Sequence, residues 1–146
     1  MLTITKDYFF SASHSLKFHE GKCRRLHGHN YKVEVSIQGE PNKVEGSSTF
    51  GMIMDFSDLD DMMKPWIDEV DHYDLNQRAE DPKSSRTEVI LARKSLPKYP
   101  TAENLALGLA AYLQELESVF SWQGSVQKVV IWETEKARAT WEREES

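Results

Sequence analysis

Residues 29–38 alternate between apolar and polar side chains. Tyr31, Val33, Val35 and Ile37 share one parity, and Lys32, Glu34 and Ser36 hold the other. A period of two marks a strand with one buried face. The start of the chain follows the same rule, with Leu2, Ile4, Tyr8, Phe10 and Ala12 on one parity and Lys6 as the exception. His14 extends the first apolar face, and His27 and His29 extend the second. If these two strands pair as a long hairpin, residues 15–26 form the connection and the three imidazoles converge at its base.

The pattern then changes period. Residues 39–51 hold Gly39, Pro41, Asn42, Gly46, Ser47, Ser48 and Gly51, a turn-rich connection, and Met52-Ile53-Met54 reads as the end of a short strand. Ser57 with Asp60 suits a helix start, after which Leu59, Met62, Met63, Trp66, Ile67 and Val70 fall at helical spacing. Pro65 inside this run is expected to kink or shorten the helix. The polar stretch from Gln77 to Tyr99 reads as a long loop with a short element around Val89–Ala92. Thr101 caps a second helix whose buried stripe is Leu105, Leu109, Tyr112, Leu113, Leu116 and Phe120. Gly124 marks a turn, Val126 to Trp132 is a β-branched buried strand, and Ala137 to Trp141 returns as a short one. The order β-β-α-α-β-β predicts an α+β domain over residues 1–146, a four-stranded antiparallel sheet with two helices packed on one face.

Composition narrows the function. The chain has 146 residues, 39% hydrophobic, with no apolar run near the ~18 residues of a membrane span. Its opening lacks the basic-then-apolar pattern of a secretory leader, and its single cysteine makes no internal disulfide, so the expected setting is the cytoplasm. A net charge of −6 argues against nucleic-acid binding. Lys22, Arg24 and Arg25 still give a local basic patch suited to an anionic small molecule.

The candidate chemistry concentrates in Cys23-Arg24-Arg25-Leu26-His27-Gly28-His29. Two histidines two residues apart on a strand point to the same side, and His14 supplies a third nitrogen from the neighbouring strand. Three protein ligands and one open position define a catalytic zinc site; a fourth ligand closes a structural one. Cys23 is either that fourth ligand or a reactive thiolate beside the metal. Two further groups stand out. Asp71-His72 pairs a carboxylate with an imidazole, a proton-transfer combination, although taken alone it reads better as an ordinary polar helix-to-loop junction. Glu133 follows the most apolar strand on the parity of Val129 and Ile131, placed either to accept N–H groups from a ligand or to face water.

Five motifs in order resemble the 6-pyruvoyl-tetrahydropterin synthase / 6-carboxy-tetrahydropterin synthase family. They are Phe10-Ser11-Ala12-Ser13-His14, Cys23 to Tyr31, Asp71-His72 with Leu75-Asn76, Pro100 to Ala106, and Glu133-Thr134. The resemblance implies the T-fold, with subunits joined into a homo-oligomer, a hexamer built as a dimer of trimers with active sites between subunits. It implies His14, His27 and His29 as Zn2+ ligands and Cys23 as the catalytic thiol, with Asp71 and His72 as its proton-relay partners. It implies Glu133 as the anchor for a pterin ring, with Thr101 and Glu103 helping to line the pocket. Only three residues separate Cys23 from His27, a spacing that resembles the carboxy-forming, queuosine-type branch rather than the pyruvoyl-forming one. The implied substrate is 7,8-dihydroneopterin triphosphate. A non-catalytic zinc-stabilised binding module is the alternative of another class, and it leaves Asp71, His72 and Glu133 without a task.

Overall fold

In the computed structural model, which describes residues 1–77 and 86–145, strand β1 (Leu2–His14) pairs antiparallel with β2 (His27–Gly39) along its whole length. The register sets Tyr8 opposite Val33, Phe10 opposite Tyr31, Ala12 opposite His29 and His14 opposite His27. Even positions of β1 and odd positions of β2 therefore share one face, as the alternation requires. Strand β4 (Ser125–Trp132) pairs with β2, and β5 (Arg138–Glu142) pairs with β4, both antiparallel.

The sheet carries one more strand than expected. Tyr73–Asp74 forms a two-residue strand, β3, parallel to Ala12–Ser13 of β1, so the order is β3-β1-β2-β4-β5. No alternation can be read in two residues, which is why the sequence pattern does not reveal it.

Helix α1 spans Phe56–Val70, and its cap is Asp55, two residues before the expected start at Ser57; the Asp55 carboxylate accepts from the Ser57 amide. Pro65 does not end it: five more helical residues follow. Leu59, Met63, Trp66 and Val70 are fully buried on one face, and that burial holds the helix together across the missing hydrogen bond. Helix α3 (Ala102–Phe120) is capped by the Thr101 hydroxyl, which accepts from the Asn104 amide. Its stripe from Leu105 to Leu116 is buried as expected, whereas Phe120 at its end is exposed.

The supposed loop from Gln77 to Tyr99 contains a third helix, α2 (Thr87–Ser95), where the short element was anticipated; residues 78–85 of that stretch lie outside the described residues. Only Ala92 of α2 is fully buried, and Arg93 bonds the buried Glu69 of α1 at 3.0 Å. The crossing of α2 and α3 depends on Gly108, because a Cβ there would sit 2.2 Å from the Ser95 carbonyl oxygen.

Met52-Ile53-Met54 is not a strand. The Met52 amide closes a turn onto the Thr49 carbonyl, the Met52 carbonyl accepts from the Asn42 amide, and Ile53 is instead a buried plug against Gly39 and Gly124. One contiguous core joins the inner face of the sheet to the helices. The opposite face, with Asp7, Phe9, Lys32, Glu34 and Trp132, stays open. No described helix is long and apolar enough to cross a membrane.

Candidate functional site

The three histidines meet at the loop end of the β1–β2 hairpin. His14 is wholly buried, and His27 and His29 are half-buried. One ligand atom from each lies within 4.8 Å of the others. Their orientation follows from backbone acceptors. His14 Nδ1 lies 2.7 Å from the Pro100 carbonyl, and His27 Nδ1 lies 2.7 Å from the Arg25 carbonyl. A carbonyl only accepts, so each Nδ1 carries a proton, and in the neutral ring each Nε2 then presents a lone pair. Those two Nε2 atoms are 3.1 Å apart. Two lone pairs at that distance repel unless a cation lies between them. The third ring agrees: His29 Nε2 is buried without a hydrogen-bond partner. The donor set fits a nitrogen-seeking metal, with carbonyl hydrogen bonds fixing the ligands from behind.

Electrostatics favour the neutral, ligating form of His29. Burial pushes this imidazole below its ordinary value; the nearby Glu133 carboxylate opposes the shift, and His14 and His27 add to it. Tyr31, next on the same face, has its phenol raised well above the usual range by burial and then by the charge of Glu133.

Glu133 connects the histidines to a cavity. Its Oε1 lies 3.6 Å from His29 Nε2. The same residue, with Glu103, Ala102, Ala106, Ala139 and Trp141, lines a cavity of about 420 Å³ between α3 and β5. That volume is within the range of small-ligand sites. Thr101 does not line the cavity; its hydroxyl is committed to capping α3, two residues before Glu103.

Cys23 lies in a single turn of 3-10 helix, Lys22–Arg24, in the loop between His14 and His27. Its carbonyl accepts from the Leu16 amide at 2.8 Å, which folds the loop back on itself. The thiol is half-buried and is not part of the group of converging histidine atoms. Asp71 and His72 sit elsewhere, where α1 ends and the chain joins the edge of β1. Asp71 Oδ1 accepts from the Ser11 amide and from His72 Nδ1, both at 2.9 Å. The Ser11 bond, and then His72, hold the Asp71 carboxyl below its usual range. His72 has a left-handed backbone (φ 64°) and an 81% exposed side chain. It faces a second cavity, of about 410 Å³, lined by Ser11, Ser13, Gly28 and Asn30 from the open face of the sheet and also by His29; Cys23 is not part of that lining.

Several supporting groups have no sequence signal of their own. The Pro100 and Arg25 carbonyls are backbone atoms, which residue type does not advertise. Asn76 was visible only as part of a motif. It grips Ser15 from both sides, accepting from its amide at 2.7 Å and donating to its carbonyl at 2.8 Å, and so fixes the residue after His14.

Comparison with known proteins agrees with this arrangement. A protein from Haemophilus influenzae named 6-carboxy-5,6,7,8-tetrahydropterin synthase is 32% identical over 139 residues, 92% of this chain and 94% of that one. A Synechocystis protein of the same name is 47% identical over 77 residues, 52% of this chain and 59% of its own length. The solved structure of Caenorhabditis elegans 6-pyruvoyl tetrahydropterin synthase superposes with a TM-score of 0.70 at 29% identity, covering 98% of this chain and 96% of the other. The family model for 6-pyruvoyl tetrahydropterin synthase matches residues 3–144, and the chain belongs to that family.

Proposed function

We propose that this protein is a zinc-dependent 6-carboxy-5,6,7,8-tetrahydropterin synthase. It converts 7,8-dihydroneopterin triphosphate and water to 6-carboxytetrahydropterin, acetaldehyde and triphosphate, in the synthesis of queuosine-type 7-deazapurines. The observation that carries this reading is the convergence of the Nε2 atoms of His14 and His27 to 3.1 Å, with Glu133 linking the third histidine to a cavity of about 420 Å³. The names of the Haemophilus and Synechocystis relatives and the three-residue interval from Cys23 to His27 favour the carboxy-forming branch.

Each residue then has a task. His14, His27 and His29 hold Zn2+, which supplies Lewis acidity toward the side-chain hydroxyls of the substrate. Glu133 accepts hydrogen bonds from the ring N–H and amino groups, a positioning contribution, with Glu103 lining the same pocket and Thr101 capping the helix that carries it. Cys23 moves protons between the substrate side chain and the ring carbons as the thiolate. Asp71 and His72 return protons as general acid and base. Because the pair faces a cavity that lacks Cys23, we read the active unit as a homo-oligomer, a hexamer of two trimers, in which one subunit's pair serves another subunit's thiol. A cytoplasmic setting suits the lone reduced cysteine.

The test is incubation of the zinc-loaded protein with 7,8-dihydroneopterin triphosphate and mass analysis of the products. Acetaldehyde with a 6-carboxy pterin is the expected result. A 6-pyruvoyl product without acetaldehyde assigns the chain to the pyruvoyl-forming branch, the second reading, favoured by its likeness to the C. elegans structure. No product from fully zinc-loaded protein overturns both.

A further inference from the structure

One buried polar group at the site has no task in the reaction above. Tyr31 is 1% exposed, and its hydroxyl has no hydrogen-bond partner. An unsatisfied buried hydroxyl costs stability that a phenylalanine of the same shape would not. The ring is firmly held. It stacks on Phe10 with centroids 4.6 Å apart and planes 8° from parallel, and the His29 and His14 rings meet it at steep angles at 5.4 and 6.3 Å.

The neighbour of Tyr31 follows from strand register. Strands β2 and β4 set Val33 opposite Ile131 and Lys32 opposite Trp132. That pair ends the ladder, and the next residues on the two chains are Tyr31 and Glu133, near enough for the Glu133 charge to act on the phenol. Both positions keep the inner parity of Val33 and Ile131. Glu133 needs a donor to hold it. His29 Nε2 is 3.6 Å away, but an imidazole that binds a metal through this nitrogen carries no proton there. Arg138, on the same cavity wall, is engaged over the Trp132 ring. The phenol O–H is the buried donor that remains.

We propose that Tyr31 is a positioning residue for Glu133: once the three imidazoles are committed to a metal, its hydroxyl donates to the Glu133 carboxylate and holds it in the orientation that receives a pterin. The inference rests on the reading of Glu133 as the pterin anchor. Tyr31 touches neither the metal nor the reacting atoms; it acts through the carboxylate.

A double-mutant cycle tests it, with zinc-loaded protein and the non-reacting pterin neopterin as the titrated probe. Tyr31→Phe is expected to keep its zinc and its melting temperature and to bind neopterin about tenfold more weakly, the loss of one hydrogen bond to a charged group. In a Glu133→Ala background the same change is expected to add nothing, because the interaction is already gone. Tyr31→Phe binding within twofold of wild type overturns the proposal while leaving the anchor reading intact. So do penalties that multiply in the double variant, or loss of zinc from Tyr31→Phe, which would tie the phenol to the histidines instead. Unchanged binding by Glu133→Ala overturns the anchor reading and this inference with it.

Discussion

His14, His27 and His29 are held from within the chain: opposed strands set their spacing, and two backbone carbonyls turn their rings so that lone pairs converge. The His72 ring pairs with Asp71 on an exposed edge and turns toward solvent and the open face of the sheet, while its amide donates to the Ser11 carbonyl. The first group is buried or half-buried, and burial favours the neutral form of His29. The second is an exposed imidazole paired with a carboxylate. A metal must find its ligands in place with the protons already removed, so rigidity and burial serve it. A proton-relay group must change its protonation state, so exposure and a carboxylate partner serve it. Under the proposed roles, the difference between the two regions is the one their chemistry requires, although each is built from histidine.

Substitution should separate them. His27→Ala is expected to have the largest effect: metal content by elemental analysis falls from about one per chain to near zero and turnover is abolished, because two imidazoles make a poor zinc site. Metal retained at full stoichiometry would show that the convergence at 3.1 Å is not a metal site. Cys23→Ala is expected to keep the metal and lower turnover by about 10²–10⁴-fold, the span of a positioned proton-transfer group. Loss of metal in this variant would instead make Cys23 a fourth ligand and the site structural. His72→Ala should cost about 10²-fold in turnover with the metal and the melting temperature unchanged, since its side chain is 81% exposed. Mixing equal amounts of Cys23→Ala and His72→Ala subunits should restore part of the activity if the two residues meet between chains. No recovery after subunit exchange would place them in one chain.

The smallest effect is one of pH. Burial holds the folded-state value of His29 below the ordinary histidine value of about 6.5, so below that pH the unfolded chain binds a proton that the folded chain resists. Stability is therefore retained above about pH 6.5 and falls below it. Metal-free protein should melt a few degrees lower at pH 5.5 than at pH 7.5 by calorimetry. His29→Ala should remove much of that difference.

What could be read in the sequence follows the same physical lines. The parity of His14, His27 and His29 was legible because a strand has a fixed period of two, and one residue of slippage would have sent all three outward. The Thr101 cap and the stripe of α3 were legible because caps and helical periods are local. Helix α2 was legible only in part, since a nine-residue helix with one fully buried side chain carries almost no periodic signal. The fate of Met52-Ile53-Met54 was not legible at all. Three apolar residues serve a strand or a plug equally well, and the choice was made by the space that Gly39 and Gly124 leave for Ile53. The placement of Asp71-His72 depends on how the end of α1 meets the edge of β1, a tertiary fact without a local signature.

The Pro100 carbonyl has a consequence for how the protein responds to its metal. Pro100 orients His14 and directly precedes Thr101, whose hydroxyl secures the first turn of α3. A ligand that fixes the His14 ring therefore also fixes the entrance to the longest helix, and by reciprocity a looser entrance weakens the ligand. Metal occupancy should slow amide hydrogen exchange at Asn104 and Leu105, far more than at the distal turn of α3. Thr101→Ala, which alters no ligand, should raise the metal dissociation constant severalfold. The helix cap is in this sense an instrument for reading the occupancy of a site it never touches.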